Sequence, residues 1–308
     1  MKVWILHVAV LLALLVLLLV LPAYHATNLA RIMVLAVFAI GYNLAFGYTG
    51  LLSLGHALFF AAGVYGAALP VTYLGFAQLP ALIAGLVAGA VMAGLTGLLA
   101  LRTAGVSFMI VTLMFAQAGY LSLLYFGEVT GGDEGLVLPG AAGLIPGLSA
   151  DAARTTIAYG LFALALIASL LLVRGRFGRT MVAMRENEER SRMLGYNPFA
   201  VKLAALVLSG LFAGASGAAY ALLFGYAGAS FATIQYSILP MLWVLMGGAG
   251  TVLGPLIGTA AMFYLVDIAG SYTTATLLFV GVALVLLILF APRGILGTIR
   301  ERWLPWLP

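Results

Sequence analysis

The sequence predicts an all-α integral membrane bundle of about ten transmembrane helices, in a single domain over residues 1–308. Three observations carry that prediction. Hydrophobic residues make up 64% of the chain and charged residues 7%, against roughly 25% charged in soluble domains, and the mean hydropathy is +1.17. Apolar stretches near the ~20 residues that cross a hydrocarbon core of about 30 Å recur along the whole length. The alternating segments of about ten residues that build membrane barrels are absent.

The spans follow in order. Lys2 and the apolar run Val3 to Leu21 have the charge and core of a signal peptide. However, Pro22-Ala23-Tyr24-His25-Ala26 lacks small residues at both positions of an A-x-A cleavage site, so the run is read as a retained first span, about 3–21. Spans at about 28–46 and 51–73 flank Gly47-Tyr48-Thr49-Gly50. The span at about 79–101 contains Gly85, Gly89, Gly94 and Gly97, small residues at spacings that let helix backbones approach closely. Spans at about 105–126 and 154–173 come next, and Gly210, Gly214 and Gly217 give the same packing signal in that at about 200–223. The eighth, about 236–248, is shorter than the usual ~17 to 25 residues, so it reads as a broken or tilted helix running into Gly247-Gly248-Ala249-Gly250. The last two lie at about 251–269 and 273–291. The two glycine-rich segments, Gly47 to Gly55 and Gly247 to Gly254, hold comparable places in the two halves. That suggests an internal repeat and a transport path near mid-membrane.

Charge sets the orientation. Between Arg174 and Lys202 the chain carries seven of its fourteen basic residues and three of its nine acids. This island, with Lys2, Arg102, Arg293, Arg300 and Arg302, is expected on the cytoplasmic side, which ten crossings satisfy with both termini cytoplasmic. The loop at 127–153 holds Glu128, Asp133, Glu134 and Asp151 without Lys or Arg, as an external loop should. Arg31 and Arg154, at external span ends, are exceptions to the rule. The net charge of +5 thus belongs to loops beside lipid and not to a nucleic-acid surface. The island's centre, Met184 to Gly195, alternates in sign like a solvated helix. Gly195 supplies a stop, and Asn197-Pro198 restarts the next helix.

The chemistry available inside the spans is sparse: His7, Asn43, Ser53, His56, Gln117 and Asp267. They form no zinc motif, no carboxylate pair at helical spacing and no nucleophile elbow, and the absence of cysteine excludes disulfides and thiolate chemistry. A catalytic site and a metal site are therefore not expected. Asp267 is the one acid inside a span and lies near its outer end, so ion-coupled transport lacks its usual machinery. Ser53-Leu54-Gly55-His56 is the most polar cluster in an apolar stretch. His56 either lines a path or braces a helix weakened by glycine.

Asn43-Leu44-Ala45-Phe46-Gly47-Tyr48-Thr49-Gly50-Leu51-Leu52-Ser53-Leu54-Gly55-His56-Ala57-Leu58-Phe59-Phe60 closely resembles the signature of the branched-chain amino acid ABC transporter permeases of the LivM type. The resemblance continues through Leu101-Arg102 to Thr112-Leu113, Thr130 to Leu136, Arg185 to Gly195, Gly247 to Pro255 and Phe290 to Gly294. It implies a type II-like importer permease in a bacterial plasma (inner) membrane, in contact with lipid. Its implied partners are a homologous second permease, two ATP-binding subunits that hold ATP and Mg, and an external solute-binding protein. No Walker A loop is present, so no cofactor is expected on this chain. By position, Arg185, Glu186, Glu188, Arg190 and Gly195 of the coupling loop at 174–202 would dock an ATPase. Asn43, Ser53, His56, Phe59, Gly247, Gly248 and Gly250 would border the translocation path, and Gly131, Gly132, Asp133 and Glu134 would meet the binding protein. The family often reads Thr-Gly-Gly-Ser-Asp-Gly-Leu in that last loop, and often has a proline where this chain has Ser230-Phe231-Ala232. Related permeases carry urea, short amides or aromatic acids with nearly the same motifs, so the substrate is left between these and a branched-chain amino acid. An ion-coupled secondary transporter is the remaining alternative.

Overall fold

The computed structural model describes residues 2–140, 147–272, 276–303 and 306. The middle of the 127–153 loop and the start of the tenth expected span lie outside the described residues. The first helices are α1 (Lys2–Val20), α2 (Ala23–Asn43), α3 (His56–Leu74), α4 (Gln78–Ala100), α5 (Val106–Tyr125) and the short α6 (Gly127–Thr130). They are followed by α7 (Ala150–Arg174), α8 (Arg176–Glu186), α9 (Glu188–Met193) and α10 (Pro198–Phe224). The chain closes with α11 (Ile234–Gly247), α12 (Gly254–Tyr272), α13 (Thr276–Phe290) and α14 (Gly294–Arg302). Two two-residue strands, β1 (Leu136–Val137) and β2 (Tyr226–Ala227), pair antiparallel.

Among the described residues, eight helices are long and apolar enough to cross a membrane: α1, α2 with its continuation to Tyr48, α3, α4, α5, α7, α10 and α12. The remaining two expected spans correspond to α11, of 14 residues, and α13, of 15. At 1.5 Å per residue α11 reaches about 21 Å, short of a hydrocarbon core of about 30 Å. Because successive long helices alternate in direction, Leu101 to Val106, the island and α14 gather on one face. The loop after α5 lies on the opposite face, where the Tyr73 hydroxyl donates to the Val129 carbonyl at 2.9 Å.

The core forms around α2, buried at every position from Ile32 to Asn43 and packed on α7, α10, α11 and α12. Lipid offers no hydrophobic drive between helices, so close backbone packing takes its place. The intraspan glycines provide it where α3, α4 and α10 meet. A Cβ on Gly89 would sit 2.5 Å from the Gly214 Cα, and one on Gly210 2.7 Å from the Gly89 carbonyl oxygen.

Three details differ from the sequence reading. The expected span at about 51–73 becomes helical only at His56, because residues 49–55 re-enter the bundle without forming helix. The expected helix from Met184 to Gly195 is split at Asn187, whose φ of −158° is extended. Its side chain then caps α9 by accepting from the Arg190 amide at 2.8 Å. The two glycine-rich segments are also not equivalent positions in a repeat: one joins α2 to α3, the other α11 to α12, and they pack on each other.

A different internal relation exists. In α2, residues 49–55 and α3, the chain reaches the island face, turns back without helix, and resumes helix inside the bundle. In α10, residues 225–233 and α11 the chain likewise leaves one helix and resumes another inside the bundle, from the opposite face, but through β2 and a short 3-10 turn at Ala229–Ala232. The two resumed helices meet: the Ala57 amide in the first turn of α3 donates to Ser237 Oγ in the first turn of α11 at 2.9 Å. His56 lies against Ser209, eleven residues into α10, so the meeting point is roughly 16 Å from the island face, near mid-depth.

Candidate coupling and translocation site

The island is tied to the bundle by its apolar side. Met181 and Met184 of α8 are buried, while Glu186, Glu189, Arg190 and Arg192 face outward. Glu188 pairs with Lys202 of α10 at 2.5 Å. Gly195, with φ of +89°, provides the left-handed turn that ends the island. Asn197 accepts from the Ala200 amide at 3.2 Å and Pro198 opens α10. At the tip, Met193 is 87% exposed and Leu194 72%, apolar surface outside the spans that a protein surface would cover. A cleft of about 520 Å³ separates the island from the turn between α4 and α5.

Beneath the island lies a hub built from both glycine-rich segments. Asn43 sits where α2 passes into a π-helical turn, Leu44–Tyr48, and its side chain binds the second segment twice. Asn43 Oδ1 accepts from the Gly250 amide at 2.9 Å, and Nδ2 donates to the Thr251 carbonyl at 2.9 Å. A Cβ on Gly47 would lie 2.6 Å from the Gly250 nitrogen, so only glycine fits there. Two arginines clasp the hub from outside: Arg185 of the island donates to the Gly47 carbonyl, and Arg300 of α14 donates to the Gly250 carbonyl at 3.2 Å. Gly248, with φ of +118°, lets the α11–α12 turn approach α14, where a Cβ would lie 2.7 Å from the Gly297 nitrogen. Gly247 packs on the first turn of α12, against Gly254 and Gly258.

At mid-depth, Ser53, His56 and Phe59 are fully enclosed within the chain. His56 Nε2 lies 2.7 Å from Ser209 Oγ, and the ring is flanked by Tyr42 and Phe59. The Tyr42 hydroxyl donates to the Ser53 carbonyl at 3.2 Å. Thr112 Oγ1 of α5 accepts from the Leu54 amide at 3.2 Å. In this conformation His56 braces α3 against α10, and the non-helical backbone is satisfied by side chains, as burial in a membrane protein requires.

On the opposite face, Gly131, Gly132 and Gly135 all have positive φ and fold the loop so that Asp133 and Glu134 are exposed. The following strand β1 pairs with β2, and the Leu138 amide donates to the Gly225 carbonyl at 2.9 Å. The loop is thereby bonded to the second re-entrant segment. That segment is closed by rings: Phe231 contacts Phe60, Tyr220, Tyr226 and Tyr236 at centroid distances of 5.1 to 5.9 Å. The exceptional Arg31 and Arg154 converge on Phe224, at 4.9 and 5.6 Å, beside the C-terminal end of α10, where the helix dipole favours cations.

This arrangement positions a charged surface element, a glycine hub and two interrupted helices in series, with no metal-binding cluster among the described residues. A profile of the family described as branched-chain amino acid transport system / permease component matches residues 24–291. The chain belongs to that family. Relatives of this permease include the high-affinity branched-chain amino acid transport system permease protein LivM of Escherichia coli (strain K12), 31% identical over 296 residues covering 88% of this chain and 69% of the relative. The LivM permease protein of Salmonella typhimurium (strain LT2) is 30% identical over the same shares. No solved structure matches. This permease is thus a multi-pass membrane protein and a non-enzymatic transport component that works with other ABC transporter components.

Several residues that build the candidate site escape sequence reasoning. Ser209, Ser237 and Thr112 look like isolated hydroxyls in apolar runs, and Arg300 looks like one more positive tail residue. The hydroxyls carry a weak signal, since each interrupts a long apolar run, but their partners are set by tertiary packing.

Proposed function

We propose that this permease imports a branched-chain amino acid, driven by ATP and Mg held on two separate ATP-binding subunits. It pairs with a homologous second permease and receives solute from an external binding protein, in a bacterial inner membrane with both termini cytoplasmic. The island then lies in the cytoplasm, and the loop at 127–153 lies outside with Gly131, Gly132, Asp133 and Glu134 toward the binding protein. The observation that carries the coupling reading is the contact of Arg185 with the glycine hub. An ATPase that grips Glu186, Glu188, Arg190 and the Met193-Leu194 tip moves Arg185 with the island. The displacement reaches the Gly47 and Gly250 backbones and the interrupted helices α3 and α11 above them. Gly195 gives the island its stop. The second permease covers α5, whose outward face carries Gln117 about 16 Å along the helix, an amide that protein or water satisfies and lipid does not. The path runs along that interface, and motion of Ser53, His56, Phe59 and the Gly247 to Gly250 hinge opens it.

The test is ATP-dependent uptake of labelled leucine into proteoliposomes containing the full assembly, with urea and an aromatic acid in parallel. Leucine uptake that requires the binding protein supports the proposal. Uptake of another solute alone keeps the importer and replaces the substrate, and gradient-driven uptake without ATP overturns the reading.

A further inference from the structure

On the island face a cavity of about 570 Å³ opens between the glycine hub and α14, a size typical of small-ligand sites. One wall comes from Phe46, Leu245, Ala249 and Thr251, and three arginines, Arg185, Arg293 and Arg300, reach it against the single carboxylate of Glu301. The wall from Pro292 onward lies beyond the stretch matched by the family profile, so this cavity is partly outside the shared core. Its cations are underused. Among the described residues, Arg185 and Arg300 each give one hydrogen bond to a hub carbonyl, although a guanidinium carries five N–H donors. Arg293 pairs with Glu301 at 2.7 Å with both side chains more than half exposed, a contact that is cheap to exchange.

The depth of the cavity selects its ligand. The apolar helix α13 ends at Phe290, 78% exposed, and Pro292-Arg293 follows directly at the cavity wall. Trp303, 79% exposed, follows α14, as an indole anchors at the boundary between hydrocarbon and headgroups. The mouth therefore lies at headgroup level. We propose that this cavity binds a phosphate-class anion, supplied by an anionic phospholipid headgroup or free in solution. The bound phosphate takes the spare guanidinium donors and competes with the Gly47 and Gly250 carbonyls for Arg185 and Arg300, because two ionised partners that can pair in a bidentate way outweigh a single bond to a neutral carbonyl. Binding itself is independent of which solute is carried. Its effect on the hub rests on the coupling reading.

The test is native mass spectrometry of the full-length chain purified with its co-expressed partners, titrated with phosphatidylglycerol or phosphatidylcholine. We expect retention of phosphatidylglycerol over phosphatidylcholine by about tenfold, lost in the Arg293→Gln/Arg300→Gln double variant and kept in Arg102→Gln. Glu301→Gln removes the competing carboxylate and should tighten retention about threefold, a gain that misfolding does not imitate. Displacement of the lipid by millimolar inorganic phosphate assigns the soluble source, and its failure to displace assigns the headgroup. Equal retention of the two lipids by the unsubstituted chain, or unchanged retention in the double variant, overturns the proposal. Loss of the ATP-binding subunits from the double variant without loss of lipid overturns it as well and makes the cavity a protein dock.

Discussion

The two re-entrant segments are built on opposite principles. Residues 49–55 are closed by polar groups: Tyr42, Thr112 and Ser237 bond the segment and the helix it starts, and Arg185 holds the turn before it. Residues 225–233 are closed by the ring cluster around Phe231 and by a two-residue backbone ladder to β1. A polar closure is directional and can exchange one partner for another, whereas a ring cluster is held by packed area and yields as a unit. The segment next to the charged island is therefore suited to being switched by a side chain. The segment next to the acidic loop is suited to moving as a body.

The largest effect should come from breaking the ring closure. Phe231→Ala should destabilise the fold by about 3 to 5 kcal/mol, read as a lowered unfolding temperature in detergent. Unchanged stability would show that the cluster is not what holds 225–233. Arg185→Gln removes a charge-assisted bond of roughly 1.5 to 3 kcal/mol at the other segment. Uptake coupled to ATP hydrolysis should fall about tenfold or more, while membrane insertion is kept and the unfolding temperature falls less than for Phe231→Ala. If stability falls as far as for Phe231→Ala, the polar closure is structural and the contrast fails. Ser237→Ala leaves the Ala57 amide without its acceptor and should cost about 1 kcal/mol, detectable as faster amide exchange at the start of α3. The smallest effect is expected for Glu188→Gln, since its partly exposed pair with Lys202 is worth less than about 1 kcal/mol for stability. If ATPase co-purification nevertheless weakens, Glu188 acts at the partner surface.

Much of this was legible in the residues. Long apolar runs must become helices in a membrane, because each backbone amide and carbonyl has to be satisfied within its own segment. Eight such helices are present among the described residues. Capping residues were equally legible: Asn197-Pro198 starts α10 and Gly195 ends the island, since both act within one turn. The break at Asn187 was not, because the alternating charges around it favour continuous helix, and the cap that stabilises the break is a single bond from the Arg190 amide. Nor was the start of α3 at His56. Residues 51–55 are apolar enough to read as span, and they stay non-helical because Thr112, a residue on another helix, supplies a hydrogen bond.

By itself, then, the sequence determined the membrane class, the charged island and the family motifs, all properties of composition and short-range spacing. Only the tertiary structure decided that the two glycine-rich segments form one hub, and that Arg185 and Arg300 clasp it from separate elements. It alone also placed the interrupted helices α3 and α11 start to start at mid-depth. The physical reason is distance along the chain: Asn43 and Thr251 are 208 residues apart, and no local preference encodes which buried amide will find which carbonyl once the helices pack.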